Sequence, residues 1–138
     1  MKLTESQINH LTAVLLTVEK RLDKITELCE INEKQGILYH IKNSLNEQKA
    51  EQVKDKITDI KRIIEQLTKQ LNLKKEKRYA KRIIVSYLSV SWADLCSIES
   101  KEMKAYGDVD ESVKMELDPL INQLIKSVDE IVDLINSN

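Results

Sequence analysis

Residues 79–106 read YAKRIIVSYLSVSWADLCSIESKEMKAY and hold four of the five aromatic residues of the chain. Apolar side chains recur so often here that, at about 100° per residue, they cover more than half of a helix's circumference. A helix that is apolar over most of its circumference must be covered on most sides. The stretch therefore predicts the most deeply buried helix of a small helical bundle.

The remaining side of this predicted helix carries small residues instead of long charged ones. Small side chains let a second backbone approach closely, either inside the bundle or in a self-associated pair. Asp94 instead projects on the apolar side, with Tyr87 and Ile98, where a buried carboxylate needs a hydrogen-bond donor, a cation or water. The alternative for Asp94 is contact with a ligand beside Trp92. The residues predicted to face a partner are Ser86, Ser89, Trp92, Ala93, Asp94 and Ser97.

The composition predicts long helices in one domain that spans residues 1–138. The 138 residues include only two glycines, one proline and no phenylalanine, and 33% of them are charged. So few turn formers and so much charge are typical of helical proteins, and this length suffices for a core without disulfides. The predicted fold class is all-α.

Rows of apolar residues spaced by three and four predict a helix over residues 6–35 and another over 38–73. Thr4 and Gln7 have the spacing of a capping box before the first helix, and Gly36 is a suitable stop after it. Ser44 and Glu47 have the same spacing, so a break near the start of the second helix stays open. The apolar row turns charged after residue 71, which predicts a turn over residues 72–77 and not one continuous helix.

The third helix, over residues 78–106, is predicted to stop at Gly107. Asp118 followed by Pro119 is a typical helix start and predicts a fourth helix over residues 118–136, with a possible short helix before it. Four helices whose apolar rows follow a heptad pattern suggest an antiparallel up-down four-helix bundle with coiled-coil-like seams.

Cysteine placement and hydropathy together predict a cytoplasmic protein. Cys29 and Cys96 each fall on an apolar helical side, which is typical of small buried hydrophobic residues and not of a disulfide framework. No run of eighteen apolar residues is present, and the N-terminal residues lack the apolar core of a signal peptide. We therefore expect no membrane contact.

No pattern of catalytic, cofactor-binding or metal-binding residues stands out. The two histidines, His10 and His40, are in no Glu-x-x-His pair, and two glycines cannot form a phosphate-binding loop. The acidic pair Glu27 and Glu30, with Asp55 and Asp59, is faintly similar to the magnesium-binding acids of all-α nucleotide pyrophosphohydrolases. The second pair differs in spacing and lies off the apolar row. We therefore expect no metal, no cofactor and no enzymatic activity.

The basic run over Lys69–Arg82 is the most specific feature outside the apolar rows, with seven cations and one acid. Cations at the start of a helix oppose its dipole, and together with free backbone amides they favour an anion. Residues 108–138 carry eight acids and two lysines, so the run could instead be neutralised within the chain. The candidate anion or nucleic-acid contacts are Lys74, Lys75, Lys77, Arg78, Lys81 and Arg82.

The function predicted from these features is non-catalytic binding of another macromolecule, as an adaptor, accessory subunit, or immunity or inhibitor protein. The partner is expected to be a protein, possibly a second copy of the chain. Leu16 and Ile31 lie away from the main apolar row of the first helix and add to the candidate contact surface. The first alternative is a small nucleic-acid-associated subunit that uses Lys69–Arg82. The second is a magnesium-dependent all-α nucleotide hydrolase.

Overall fold

The structure, a computed structural model, describes residues 2–137. These residues form five α-helices, one 3-10 turn and two short strands, so the predicted all-α class is confirmed, with a small sheet added. They divide into two compact units, residues 2–75 and 76–137. The four-helix bundle and the single domain stay predictions. None of the helices in the described range combines the length and apolarity that a membrane crossing requires.

The first unit is a pair of antiparallel helices that are joined by a β-hairpin. Its elements are α1 (Glu5–Glu30), β1 (Glu33–Gln35), β2 (His40–Lys42) and α2 (Glu47–Leu71). The predicted capping box forms, because the Thr4 hydroxyl accepts from the amide of Gln7 at 3.1 Å. Lys61 Nζ lies 2.6 Å from a carboxylate oxygen of Asp23 and ties the two helices together.

Predicted helix boundaries around Gly36 are wrong. Helix α1 ends at Glu30 and not at residue 35, and residues 38–46 are a hairpin strand and connection instead of helix. Asn43 explains the early stop, since its amide donates to the backbone carbonyls of Leu28, Cys29 and Ile31 at 3.3, 3.3 and 2.7 Å. Helix α2 begins at Glu47, close to the break that the spacing of Ser44 and Glu47 offered as an alternative, and Asn46 is its N-cap.

The second unit is also a helical pair. It contains α3 (Ala80–Cys96), a short α4 (Ser100–Met103), a 3-10 turn (Lys104–Tyr106) and α5 (Glu111–Asn136). The predicted turn before α3 is confirmed, since Asn72 ends α2 in the left-handed conformation and residues 73–79 are not helical. Gly107 ends the 3-10 turn with φ of 142°, a conformation that favours glycine.

The predicted start of the last helix at Asp118–Pro119 is wrong, and so is the prediction of one unbroken helix from 78 to 106. Helix α5 begins after Asp110 and runs through Pro119. Asp118 has a different role, because its two carboxylate oxygens accept from the amide and hydroxyl of Ser100 at 2.9 and 2.6 Å. This clasp holds the start of α4 against α5.

The clasp predicts an acid-sensitive contribution to stability. The two hydrogen bonds from Ser100 lower the pKa of Asp118 below its ordinary value of 3.8. Because its pKa is lower in the folded state, Asp118 contributes fully to stability above its ordinary pKa. This contribution is lost as the pH falls through the pKa of the folded state. We therefore expect Asp118→Asn to lower the urea midpoint of Trp92 fluorescence at about pH 6, and the gap from wild type to narrow at about pH 2.5. A gap of equal size at both pH values would contradict this.

Helix α3 is not the buried centre of the molecule, which corrects the prediction made from residues 79–106. None of its residues is buried, and Tyr87 is 72% exposed. Its only long neighbour in the second unit is α5, and a single neighbour covers one side of a helix. The buried residues in the described range are shared between the units: Leu22, Cys29, Ala50 and Ile57 in the first, and Ser100 and Ile121 in the second.

Candidate interaction surfaces

The basic run spans the end of the first unit and the start of the second. Lys74 and Lys75 are exposed residues after α2. Lys77 and Arg78 precede α3, and Lys81 and Arg82 form its first turn, all four of them exposed. The predicted candidates in the second unit are therefore brought together at one helix start.

An open groove of about 220 Å³ lies at this start of α3. Its walls include the side chains of Lys77, Arg78, Tyr79, Arg82 and Ser86. The Nζ atom of Lys77 is 5.9 Å from the centre of the Tyr79 ring, within the range of a cation–π contact. The groove thus combines cations with an aromatic ring.

The electrostatics of this groove favour an anion. Tyr79 is the N-cap of α3 but its side chain accepts no capping hydrogen bond, and no acid stands in the first turn. The positive end of the helix dipole is therefore uncompensated locally. Within residues 76–137, Arg78 pairs with Glu76 at 3.3 Å and the other three cations of the run form no ion pair. The terminal carboxylate, which was expected nearby, belongs to Asn138 and lies outside the described residues.

The six α3 residues predicted to face a partner fall on different sides of the helix. Ser86, Ser89, Ala93 and Ser97 form one exposed strip. The hydroxyls of Ser89 and Ser97 donate to carbonyls of their own helix at 2.9 and 2.6 Å, so the strip offers few free donors. Asp94 lies on another side of the helix, and Trp92, which is 44% exposed, lies on a third. Since these residues do not form one surface, the strip is a weaker candidate than the sequence suggested.

The tip of the β-hairpin is a candidate interaction surface that the sequence prediction missed. Strands β1 and β2 pair in antiparallel fashion, and Gln35 faces His40. Between them, Ile37 and Leu38 are 101% and 96% exposed. Isolated exposed apolar residues are common, but two adjacent ones that contact nothing at a turn are unusual. We call Ile37 and Leu38 the hairpin tip.

Local contacts explain why the hairpin tip protrudes. The amide of Gly36 donates to the carbonyl of Tyr39 at 2.8 Å and closes the turn. The Tyr39 ring lies over Gly36, where a Cβ atom would collide with it, so Gly36 is needed for a close approach and not as a helix stop. Outside the turn, His40 Nε2 is paired with the carboxylate of Glu33 across the strands. The hairpin is held at both ends while the tip stays free.

Two signals in the sequence could have located this hairpin. In residues 36–42, GILYHIK, a glycine precedes a run rich in β-branched and aromatic residues that alternates over Ile37, Tyr39 and Ile41. The apolar residues Leu38, Ile41 and Leu45 also fit helical spacing, and that spacing predicts the helix over residues 38–73 that the structure does not have at this point. Asn43, which stops α1, gave no local signal because its partners are 12 to 15 residues away.

Three of the four acids considered for a magnesium site lie next to cations, and Asp55 is the exception. Glu27 pairs with Lys24 at 3.4 Å, and Asp59 pairs with Arg62 at 3.3 Å. Glu30 lies 4.0 Å from Lys54. Between residues 2 and 137, no group of three or more His, Cys, Asp or Glu side chains is arranged to hold a metal ion. Cys29 is buried as predicted, and Cys96 is half-buried.

Comparison with protein-family models, with curated proteins and with solved structures found no match to this chain.

Proposed function

We propose that this chain is a non-catalytic, cytosolic helical protein that binds another protein through its hairpin tip. An adaptor, an accessory subunit, or an immunity or inhibitor protein would act in this way. The observation that carries the proposal is the complete exposure of Ile37 and Leu38 at the end of a helical pair. The four-helix bundle, the coiled-coil-like seams and the cytosolic location remain parts of the same proposal.

The choice of residues at the tip supports a binding role. Tight turns favour Gly, Asn, Asp, Pro and Ser, which satisfy the backbone or suit its conformation. Ile and Leu do neither, and at full exposure they add nothing to the core of the first unit. Exposed apolar side chains also raise the risk of aggregation. Residues that cost solubility without stabilising the fold are expected where a partner covers them.

The shape and charge of the hairpin favour a protein partner. Two adjacent aliphatic side chains on a narrow turn fit a concave apolar pocket, and such buried anchors supply much of the binding energy at interfaces. The nearest charged groups, Glu33, Lys34 and Lys42, are of mixed sign. They do not form the basic cluster that attracts a protein to anionic lipid.

A pull-down with matched variants tests this proposal. The tip variant carries Ile37→Ser and Leu38→Ser, and the control carries Ile60→Ser and Ile63→Ser, which remove two exposed apolar residues from α2 of the same unit. We expect wild type and control to retain one protein from host lysate at a constant ratio after nuclease treatment, and the tip variant to lose at least about 90% of it. Equal retention by the tip variant would exclude the tip as the contact.

A second candidate function is binding of RNA or DNA, and the groove at the start of α3 favours it. Three cations without an ion pair, an uncompensated helix start and Tyr79 together suit phosphate groups and a stacked base. The two candidate functions differ in how strongly the binding affinity depends on salt. Phosphate contacts weaken steeply as salt rises, whereas an apolar contact does not.

Neutralising the groove tests the second candidate. The variant with Lys77→Gln, Arg78→Gln and Arg82→Gln, the three cations of the groove wall, is expected to lose binding to a fluorescent single-stranded oligonucleotide. Wild type is expected to lose affinity as salt rises from about 50 to about 200 mM. The control variant carries Lys20→Gln, Arg21→Gln and Lys24→Gln on α1, which removes the same charge elsewhere. Binding that is equal in both variants would mean that the groove is not the site.

A further inference from the structure

The α3–α5 pair has one open side that is almost entirely apolar. Helices α3 and α5 run antiparallel, because Asp118 on α5 bonds Ser100 just after the end of α3. The open side is made of residues that are between 39% and 72% exposed. We call it the open apolar face, and its members are Ile84, Tyr87, Ile98, Leu120, Leu124, Ile131 and Leu134.

Helical spacing places six of these residues on the same side of the pair, and Ile98 lies in the turn that directly follows α3. On α5, the residues that pack toward α3 recur from the buried Ile121 through the half-buried Ile125 and Val128. Leu120, Leu124 and Ile131 follow a row displaced from these by about 100°. On α3, Ile84 and Tyr87 are rotated about the helix axis by a similar angle, in the same sense, from the side that packs on α5. In an antiparallel pair, equal displacements bring both rows to one side.

The other side of the same pair is polar or small. There α3 presents Ser86, Ser89 and Ala93, all exposed, and α5 presents Lys126 and Asp129. The two sides thus differ sharply in character. The charged side chains that share the apolar side are those of Asp94 on α3 and Glu116 on α5, and both are exposed to solvent. The second unit is therefore an amphipathic pair of helices. The contact between α3 and α5 leaves the apolar side chains of one side of the pair exposed.

The area of the open apolar face fits a stable protein interface. With roughly 200 Å² for each fully exposed large side chain, the seven exposed fractions together come to about 750 Å². A standard interface buries about 800 Å² on each partner. The largest apolar patch on a typical monomer is only about 300–600 Å².

We propose that the open apolar face binds the same face of a second copy of this chain. Homodimer interfaces are more apolar than transient ones, and a two-fold axis requires one self-complementary surface. A nearly uncharged face meets that requirement, because apolar side chains pack against their own kind without needing an oppositely charged partner. This surface is separate from the hairpin tip, so the two proposals stand or fall independently. A dimer would present two tips to its partner.

The mass of the purified full chain in solution tests the dimer. Sedimentation velocity and light scattering at about 1–100 µM are expected to give roughly 32 kDa, twice the 16.0 kDa of one chain. A wild-type mass of one chain at 100 µM would overturn the proposal, and this outcome depends on no variant.

Matched variants then locate the interface. Tyr87→Glu with Leu134→Glu changes the two most exposed members of the face, so both charges remain solvated in a monomer. We expect the dimer dissociation constant to rise at least about 30-fold, the effect of losing a strong interface contact. The control, Ser89→Glu with Ala93→Glu, adds the same charge on the other side of α3 and should stay dimeric.

Circular dichroism of both variants checks that the helices are retained. Should the first variant unfold, Leu120→Glu with Leu124→Glu repeats the test on α5 alone. A folded face variant that dimerises as tightly as wild type would place the interface elsewhere and overturn the proposal.

Discussion

Replacing Ile121 by alanine is expected to lower the free energy of unfolding of residues 76–137 by about 2–4 kcal/mol. Ile121 is only 4% exposed and is the most buried apolar residue of the described chain. Truncation removes its transfer free energy and leaves a cavity that the surrounding helices fill only in part. Because the unit has few other buried side chains, a loss of this size is a large part of its stability.

The measurement for Ile121→Ala is urea denaturation followed by the fluorescence of Trp92. Trp92 is the only tryptophan, so its signal reports the second unit directly. Met115→Ala is the matched control, because it removes a large apolar side chain of the same helix at a position that is 72% exposed and outside the open apolar face. The control is expected to change the monomer's free energy of unfolding by about 0.5 kcal/mol or less. Equal losses in the two variants would show that burial does not decide the effect.

Replacing Asn43 by alanine is expected to cost the first unit about 2 kcal/mol. The Asn43 amide donates to three carbonyls at the end of α1, and its oxygen accepts from the amide of Leu45 at 2.9 Å. Without these bonds the end of α1 and the hairpin lose their main connection. The effect should therefore be greatest between residues 26 and 47.

Amide hydrogen exchange read by mass spectrometry localises this loss. A cost of about 2 kcal/mol corresponds to exchange roughly 30-fold faster in peptides that cover residues 26–47. Gln35→Ala, which changes an exposed strand residue, is the control and should leave the exchange of the α1 end unchanged. Exchange that accelerates equally along α1 and α2 would contradict the local role of Asn43.

Much of the secondary structure could be predicted because local signals specify it. The Thr4–Gln7 capping box and the turn after Leu71 depend on residues within four positions of each other, and both are present. The start of α5 and the end of α1 could not be predicted in this way. Asp118 bonds Ser100, 18 residues earlier, and Asn43 bonds Leu28, 15 residues earlier. A long-range hydrogen bond of this kind overrides a local preference that is worth only about 1 kcal/mol.

The candidate site was predictable only in part. The basic residues at the start of α3 were identified because charge is visible in a sequence, and the structure adds the uncapped helix start and Tyr79. The hairpin tip was missed because Ile37 and Leu38 have the same identity in a core as on a surface. Their proposed role in binding rests on their exposure, and exposure is a property of the fold.

The sequence by itself determined that this protein is helical, where α1 begins, where α2 and α5 end, and which helical sides are apolar. Those properties follow from side-chain spacing and from capping groups near one another in the chain. Only the tertiary structure decided which apolar residues are covered. The pattern of α3 predicts that something must pack on most of it, yet α5 contacts one side and leaves Tyr87 in solvent. Periodicity specifies the area that needs burial, whereas the number of neighbouring helices decides how much of that area is buried within the chain.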